Sequence, residues 1–402
     1  MLISRNSYLN ALLENKDVDL VKIITGIRRC GKSSLLELFK NHLKKENKQI
    51  IHINFESFQY AHLLDTKSLY AYIEKNINKN KRAYLLFDEL QEVESWEKVI
   101  ESLRLDFDVD IYITGSNAQF LSSEFATFLS GRYIEIKMLP LSFKEFLDFY
   151  SFSSDLSLDD KFQKYLIFGG MPILKDYNFN KIRSMEALEA IYSTVVLKDI
   201  LSRNAEISHH TLEKIIKFLC ANIGSITSPN NIANSLHNEK SLTKANLARQ
   251  TVEKYINLLE NPFIFYKVNR YDIKGKQFLK TLQKHYLVDI GFRNMLLGFR
   301  DVDLGYVLEN IVFLELIRRN YKVYIGKIND LEVDFIAENQ ESRIYVQVSL
   351  TLTNKDTLDR ELKPLQSIRD NYEKMVITMD KSLVTSIEGI KIKNVIEWLM
   401  EE

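Results

Sequence analysis

The 402-residue chain has little cysteine, proline or glycine, with two, five and thirteen of these residues respectively. Two cysteines, Cys30 and Cys220, do not make a disulfide framework, and no spacing of cysteine and histidine suggests a zinc site. So few prolines and glycines argue against long disordered linkers. We therefore expect folded globular domains, roughly two to four of them in a chain of this length.

Long apolar runs and an excess of one charge are also missing. No run of 18 apolar residues occurs, so no membrane-spanning helix is expected. The opening residues, MLISRNSYLN, lack the pattern of a signal peptide. Lys and Arg number 54, as do Asp and Glu, so the whole molecule is not a nonspecific binder of polyanions. These features predict a cytoplasmic protein with no membrane partner.

The strongest motif present is GIRRCGKS at residues 26–33, which matches the phosphate-binding pattern G-x-x-x-x-G-K-[ST]. An apolar run of strand length, residues 20–25, precedes it. After it, leucines and a phenylalanine recur on one face of a predicted helix. Strand, loop and helix are the context that the motif needs. The alternative, an ordinary glycine-containing turn, is disfavoured by a second motif downstream.

The residue types of the loop are those that bind a nucleoside triphosphate. Gly26 and Gly31 can adopt positive φ, and the loop N–H groups and the helix N-terminus attract phosphate. Lys32 is expected to reach the β- and γ-phosphates, and the Ser33 hydroxyl to bind Mg²⁺. The nucleotide-binding residues predicted from this motif are Gly26, Ile27, Arg28, Arg29, Cys30, Gly31, Lys32, Ser33 and Ser34.

The second motif is YLLFDE at residues 84–89, an apolar run that ends in two acids. An NTPase needs a carboxylate here to hold Mg²⁺, and we assign that role to Asp88. Glu89 is then the candidate general base that activates water. An ordinary strand with a charged end is the alternative reading.

A further predicted strand, residues 110–114, ends in Gly115-Ser116-Asn117. Ser116 and Asn117 are candidate sensors of the γ-phosphate, although Gly, Ser and Asn are also common in plain turns. Strands predicted at 20–25, 50–55, 83–87, 110–114 and 133–138 alternate with helices. This alternation predicts an α/β fold with a mainly parallel sheet.

The segments GIRRCGKSSLL, YLLFDELQEV, ITGSNAQFL, LSGRYIEIKMLPLSFKEF and FGGMP resemble the prokaryotic AAA-type ATPases of the P-loop class. The resemblance implies ATP with Mg²⁺ as the ligand, a helical lid and a candidate homo-oligomer. Arg132 matches the family's Ser-Gly-Arg motif, which implies an arginine that completes the ATP site in its own or a neighbouring subunit. A surface arginine before a strand is the alternative.

Residues 206–285 resemble a winged helix, with three predicted helices followed by a β-hairpin. Between 241 and 285 there are nine Lys and Arg residues and three acids, so DNA is a candidate partner. On that reading Arg249, Gln250 or Lys254 would lie near a DNA groove. A winged helix used only for protein packing is the alternative.

Residues 286–402 resemble the restriction-endonuclease-like fold. Glu309, Asp334 and Gln347 match three motif positions that surround Mg²⁺ in active members. Ser349 stands where the motif has a lysine, and the sequence does not place Lys355 or Lys363 near these residues. We therefore predict a degenerate nuclease domain.

The whole chain resembles a prokaryotic AAA-type P-loop ATPase fused to a C-terminal domain of unknown function. The expected parts are an ATPase core (1–150), a helical lid (151–205), a winged-helix-like domain (206–285) and a nuclease-like domain (286–402). The predicted function is slow ATP hydrolysis as a conformational switch coupled to a DNA- or protein-binding region. An ATP-dependent nuclease, or a DNA-binding regulator in which ATP is only structural, are the alternatives.

Overall fold

The computed structural model describes residues 3, 5–118, 131–238, 249–381 and 384–401. The backbone divides into two compact units. The first comprises Met1–Pro140 with Asn261–Phe263, and the second comprises Leu141–Glu260 with Ile264–Glu402.

The first unit contains a five-stranded parallel sheet in the order β2-β3-β4-β1-β5. Its strands are β1 (Val21–Thr25), β2 (Gln49–Asn54), β3 (Ala83–Asp88), β4 (Val109–Gly115) and β5 (Tyr133–Lys137). Its helices are α1 (Asn6–Glu14), α2 (Lys32–Lys45), α3 (Thr66–Asn76) and α4 (Trp96–Asp106), with short 3₁₀ turns at Phe58–Leu63 and Leu90–Glu92. The five predicted strands and the parallel sheet are confirmed.

The sequence explains this arrangement. Every residue of β1 and β3 is buried, as expected for apolar strands covered by helices on both faces. Because β4 lies between β1 and β3, the carboxyl ends of these three strands share one edge of the sheet. Loops at this edge are where ligands bind in open α/β sheets.

The second unit begins with helices. They are α5 (Phe143–Phe149), α6 (Leu158–Phe168), α7 (Lys181–Thr194), a π-helical segment (Val195–Leu201), α8 (His209–Ala221), α9 (Pro229–Asn238) and α10 (Arg249–Glu260). Ser142 and Ser157 start α5 and α6 with capping boxes that satisfy the first helical N–H groups. Residues 141–205, all of them described, form helices and no strand, as the sequence predicts.

The rest of the second unit is built on an eight-stranded mixed sheet in the order β12-β13-β11-β10-β9-β8-β6-β7. Its strands are β6 (Phe265–Asp272), β7 (Gln277–Leu287), β8 (Lys322–Ile328), β9 (Leu331–Glu338), β10 (Arg343–Ser349), β11 (Glu373–Thr378), β12 (Ser386–Ile387) and β13 (Ile390–Asn394). The remaining helices are α11 (Ile290–Leu297), α12 (Leu304–Arg318), α13 (Lys355–Gln366) and α14 (Val395–Met400).

The β6–β7 hairpin does not stand apart as a wing. β6 pairs with β7 on one side and in parallel with β8 on the other, where Arg270 faces Ile325. The hairpin is therefore part of the eight-stranded sheet, and the predicted domain boundary at residue 285 falls inside β7. The reason is that an edge strand with unpaired N–H and C=O groups gains hydrogen bonds when it joins a neighbouring sheet.

Candidate functional site

The loop between β1 and α2 has the backbone of a phosphate-binding loop. Gly26 has φ of +147° and Gly31 has φ of +111°, both in the region that favours glycine. A Cβ on Gly26 would lie 2.1 Å from the Met138 carbonyl oxygen, so a larger residue does not fit there. The loop leads directly into the N-terminus of α2, whose free N–H groups favour an anion.

Lys32 is buried at the start of α2 and its ammonium lies inside the loop. Its Nζ donates to the Gly26 and Ile27 carbonyl oxygens at 2.9 and 3.2 Å. The same Nζ lies 3.5 Å from a carboxylate oxygen of Glu89. The predicted lysine of the loop and the predicted general base are therefore neighbours.

Asp88 ends β3 and is 1% exposed. It accepts hydrogen bonds from the Thr114 hydroxyl at 2.5 Å, the Asn54 amide at 3.0 Å and the Ser33 hydroxyl. Burial raises the pKa of Asp88, and the hydroxyl groups of Ser33 and Thr114 partly offset that rise. The two predicted Mg²⁺ ligands, Ser33 and Asp88, are thus in direct contact.

Glu89 adopts a left-handed backbone conformation, with φ of +54°, which turns its side chain toward the loop. Its Oε2 accepts from the Ser116 hydroxyl at 3.0 Å and from the Gln91 amide. Burial alone would raise the pKa of Glu89, but the Lys32 ammonium and the Gln91 amide outweigh it and lower the pKa. Glu89 is therefore ionised at neutral pH and able to accept a proton.

Thr114 and Asn54 were not predicted as site residues, whereas Ser116 was predicted, together with Asn117, as a candidate sensor of the γ-phosphate. Thr114 donates to Asp88 and its oxygen also accepts from the Glu89 N–H at 2.9 Å, so it holds both acids. Asn54 ends β2 and Ser116 follows β4. The signal in the sequence that could have identified Thr114 and Asn54 was their position at the carboxyl ends of predicted strands. Asn117 is buried immediately after Ser116, at the same edge.

The other predicted loop residues contribute differently. Ile27 and Cys30 are buried, and Cys30 Sγ contacts the Met138 carbonyl oxygen at 3.6 Å. Arg28 pairs with the Glu56 carboxylate at 2.7 Å. Arg29 is exposed with φ of +66°, and Ser34 is exposed on α2. The side chains of Ile27 and Cys30 therefore face the protein interior, which leaves their backbone groups as the parts suited to phosphate.

Arg132 is not beside this site. It immediately precedes β5, its carbonyl oxygen accepts from the Val21 N–H at 3.0 Å, and its side chain is exposed. Val21 begins β1, whereas the phosphate loop follows the other end of that strand. Five residues of strand, about 16 Å, separate the two edges of the sheet. This position does not support a role for Arg132 in the site of its own chain. A role in a neighbouring subunit and an ordinary surface arginine before a strand are the two readings that remain.

Several of the nine basic residues counted between 241 and 285 have acidic partners. Lys254 pairs with Glu206 at 2.6 Å and Lys267 with Glu260 at 3.2 Å. Arg249 and Gln250 are exposed at the start of α10, and Lys244 lies outside the described residues. Lys284 is 3% exposed and cannot meet DNA. The basic surface of the hairpin is thus smaller than the sequence suggests.

In the second unit, Glu309, Asp334 and Gln347 come together as predicted, but with an unexpected neighbour. Lys284 Nζ lies 2.8 Å from Glu309 and 3.6 Å from Asp334. Burial alone would lower the pKa of Lys284, but the surrounding carboxylates of Glu309, Asp334 and Glu332 outweigh it and raise the pKa. Lys355 and Lys363 are exposed on α13. The cation beside these acids therefore comes from β7.

Comparisons with known proteins support the P-loop ATPase fold of the first unit. Residues 19–147 match the family model described as an AAA domain, and residues 159–303 match a domain of unknown function, DUF8612. A Walker-type ATPase of Pyrococcus abyssi superposes with a TM-score of 0.51 at 16% identity, covering 73% of this chain and 95% of that one. At that identity the likeness shows the fold alone.

Two relatives match nearly the whole chain. An uncharacterized protein of Haemophilus influenzae is 40% identical, covering 100% of this chain and 99% of the relative. An uncharacterized protein of Methanocaldococcus jannaschii is 33% identical, covering 89% of this chain and 82% of the relative. Across the described residues, none of the helices is long and apolar enough to cross a bilayer.

The parallel sheet, the loop before α2 and the match over residues 19–147 define the first unit as an AAA-type P-loop ATPase domain. The protein as a whole belongs to the same family as its relatives from Haemophilus influenzae and Methanocaldococcus jannaschii.

Proposed function

We propose that the protein binds ATP with Mg²⁺, hydrolyses it slowly and uses the change as a conformational switch. The observation that carries the proposal is the meeting of Lys32, Ser33, Asp88 and Glu89 at one edge of the sheet. Ser33 and Asp88 are hydrogen-bonded to each other, as two ligands of one cation must be neighbours. The residues present therefore fit a Mg²⁺–nucleotide complex.

Each residue has a distinct role in this proposal. The backbone N–H groups of residues 26–33 and the Lys32 ammonium hold the phosphates. Ser33 and Asp88 hold the cation, which neutralises phosphate charge when bound. Glu89 accepts the proton of the attacking water, and the Lys32 ammonium keeps its carboxylate ionised beforehand. Asn117 senses the γ-phosphate from the end of β4.

Coupling to the rest of the chain is supported by one contact within the first unit. The Ala118 N–H donates to the Asn261 carbonyl oxygen at 2.6 Å. Ala118 follows the proposed sensor Asn117. Asn261–Phe263 belongs to the first unit, although it directly follows α10 and nearly adjoins β6. A shift at Asn117 therefore has a short route into the chain of the second unit.

Replacing Lys32 by Ala tests the binding site. The change removes charge-assisted hydrogen bonds worth roughly 1.5–3 kcal/mol, so ATP affinity falls about ten-fold or more. Isothermal titration calorimetry measures this directly. Lys45→Ala, at the exposed far end of the same helix, is the matched control and leaves affinity unchanged. Equal ATP affinity in both variants would refute the assignment.

Replacing Glu89 by Gln tests hydrolysis separately from binding. The amide keeps the size of the side chain but accepts no proton, so ATP binding persists and phosphate release stops. Glu94→Gln, an exposed acid shortly after Glu89, is the control and keeps wild-type turnover. Continued hydrolysis in the Glu89 variant would move the general base to another residue.

The second unit is proposed to bind a DNA or protein partner in a nucleotide-dependent way. Binding of a fluorescent duplex is compared with and without ATP at rising salt. A DNA partner predicts affinity that falls steeply with salt, because released counterions drive such binding. Salt-independent affinity or no binding favours a protein partner. If nucleotide changes neither DNA binding nor the proteolysis pattern of the second unit, the switch is refuted.

A further inference from the structure

The acidic cluster of the second unit has a cation supplied by the chain itself. Lys284, on β7, places Nζ 2.8 Å from Glu309 Oε1, 2.8 Å from Glu332 Oε1 and 3.6 Å from Asp334 Oδ1. We infer that this ammonium is a permanent internal counter-ion in the position a divalent cation has in metal-dependent nuclease sites, and that the cluster is closed to metal.

One oxygen of each of the two central carboxylates already accepts hydrogen bonds from the protein. Glu309 Oε1 accepts from Tyr286 at 2.6 Å as well as from Lys284 at 2.8 Å. Asp334 Oδ2 accepts from the Val348 N–H at 2.9 Å. Mg²⁺ and Ca²⁺ bind through carboxylate, carbonyl and water oxygens with free lone pairs. Coordination of a metal through Glu309 Oε1 or Asp334 Oδ2 would require breaking these hydrogen bonds.

Gln347, the third predicted position, is also occupied. Its Oε1 accepts from the Asp334 N–H at 2.6 Å, and its Nε2 donates to Glu361 at 3.0 Å. Ser349, in the place of the motif lysine, donates to the Thr351 carbonyl oxygen at 3.1 Å. Among the residues that the structure describes, no group of three or more His, Cys, Asp and Glu side chains is arranged to hold a metal ion.

Steric space around Glu309 is limited as well. A Cβ on Gly224 would lie 3.0 Å from Glu309 Oε2, so backbone approaches the second oxygen of this carboxylate closely. On another side, Glu309 and Asp334 themselves line a pocket of about 430 Å³, together with Ser349, Arg360 and Glu361 among others. Lys284 is not among the residues that line the pocket. The ammonium is therefore held within the protein, as expected for a buried cation that must stay paired.

Manganese binding to the nucleotide-free full chain tests the inference. Free Mn²⁺ is followed by electron paramagnetic resonance in four proteins. They are the wild type, the single variants Lys284→Ala and Lys284→Met, and the double variant that combines Lys284→Ala with Asp334→Asn. All four share the same nucleotide site, so any Mn²⁺ held at Asp88 contributes equally.

The expected result is that Lys284→Ala alone gains a Mn²⁺ site. This site binds Mn²⁺ at least about ten-fold more tightly than any site, other than the nucleotide site, in the other three proteins. Removing the ammonium leaves unpaired carboxylates and opens space. Lys284→Met also removes the charge but fills the space, so it gains no site. The added Asp334→Asn change removes the gained site. Absence of any gain in a folded Lys284→Ala variant overturns the inference.

Should Lys284→Ala fail to fold, the wild type and Asp334→Asn alone decide the question. Equal Mn²⁺ binding and an equal thermal shift with Mn²⁺ support a cluster that is closed to metal. Binding by the wild type that is lost in Asp334→Asn overturns it. If Mn²⁺-dependent plasmid cleavage then also disappears in Lys284→Met, Lys284 is instead the lysine of an active nuclease site.

Discussion

Thr114 contacts both acids of the proposed ATP site. Its hydroxyl donates to Asp88 at 2.5 Å and accepts from the Glu89 N–H at 2.9 Å. One side chain on β4 thus sets the carboxylate proposed to hold Mg²⁺ and the backbone from which the proposed base extends. Thr114 therefore acts as a positioning residue for both acids.

Replacing Thr114 by Val keeps the β-branched shape but removes the hydroxyl. Asp88 then loses a charge-assisted hydrogen bond, and the buried Glu89 N–H loses its acceptor, which costs roughly 1–3 kcal/mol. We expect single-turnover hydrolysis to slow about ten-fold, while Mg²⁺-free ATP affinity in calorimetry is unchanged.

Thr114→Ser is the control for that prediction. Serine keeps the hydroxyl and restores most of the rate, whereas a defect caused by strand packing alone would appear in serine as strongly as in valine. Equal rates in the valine variant and the wild type would show that Asp88 and Glu89 need no such support.

At the scale of elements, Asp289 fixes two segments that are distant in sequence. It caps α11 by accepting from the Gly291 N–H at 2.8 Å, and it accepts from the Gly170 N–H at 2.7 Å. A Cβ on Gly169 would lie 2.0 Å from Asp289 Oδ1, and one on Gly170 would lie 2.3 Å from the Leu141 carbonyl oxygen. The two glycines of FGGMP are therefore required by packing against Asp289 and Leu141.

Asp289 also makes stability depend on pH. Burial raises the pKa of Asp289 to about 7, although the two N–H donors oppose the rise. An unfolded aspartate titrates near about 3.9, so the native state binds more protons between those values. The unfolding free energy therefore falls as pH rises from about 4 to about 7, with a slope of up to about 1.4 kcal/mol per pH unit.

Asp289→Asn removes this titration and leaves one oxygen for two N–H donors. We expect its melting temperature to be lower than that of the wild type at about pH 5 and to vary less between about pH 5 and about pH 7. Differential scanning fluorimetry measures both effects. Asp301→Asn, an exposed acid nearby, keeps the wild-type pH dependence. The same pH dependence in Asp289→Asn would assign the titration to other groups.

The central strands β1, β3 and β4 of the first unit were predictable because each is a short, mostly apolar run in which nearly every residue is buried. The β6–β7 hairpin was predictable as a pair, but its membership of the larger sheet was not. Its partner on the inner side, β8, lies about 55 residues later in the chain, and nothing local in β6 specifies pairing at that distance. The boundary at residue 285, which was predicted from the resemblance to a winged helix, therefore falls inside β7.

The candidate site likewise contains some residues that the sequence predicts and others that it does not. Lys32, Asp88 and Glu89 were predicted as candidates for the same site because each stands in a motif with fixed spacing. Thr114 and Asn54 were missed because a polar residue at the end of a strand is also what a plain turn looks like. Lys284 was missed for a different reason. It was one of many basic residues in a hairpin, and only the fold reveals that it is buried among acids.

For the whole molecule, the position of Arg132 bears on assembly. Its exposed side chain lies at the amino edge of the sheet, away from the phosphate loop of the same chain. If Arg132 completes an ATP site, that site belongs to a neighbouring copy. Hydrolysis then requires an oligomer, and the rate per chain rises with protein concentration.

Mixing two inactive variants tests this requirement. Arg132→Ala retains ATP binding but loses the charge that stabilises the transferring phosphoryl group, so its hydrolysis falls by at least about ten-fold. Glu89→Gln lacks the general base but keeps Arg132. In a mixture, the glutamate of one chain and the arginine of another form intact sites, and phosphate release exceeds that of either variant alone. If Arg132→Ala hydrolyses ATP normally, or if mixing restores nothing while the wild-type rate per chain is independent of concentration, Arg132 serves no neighbouring site.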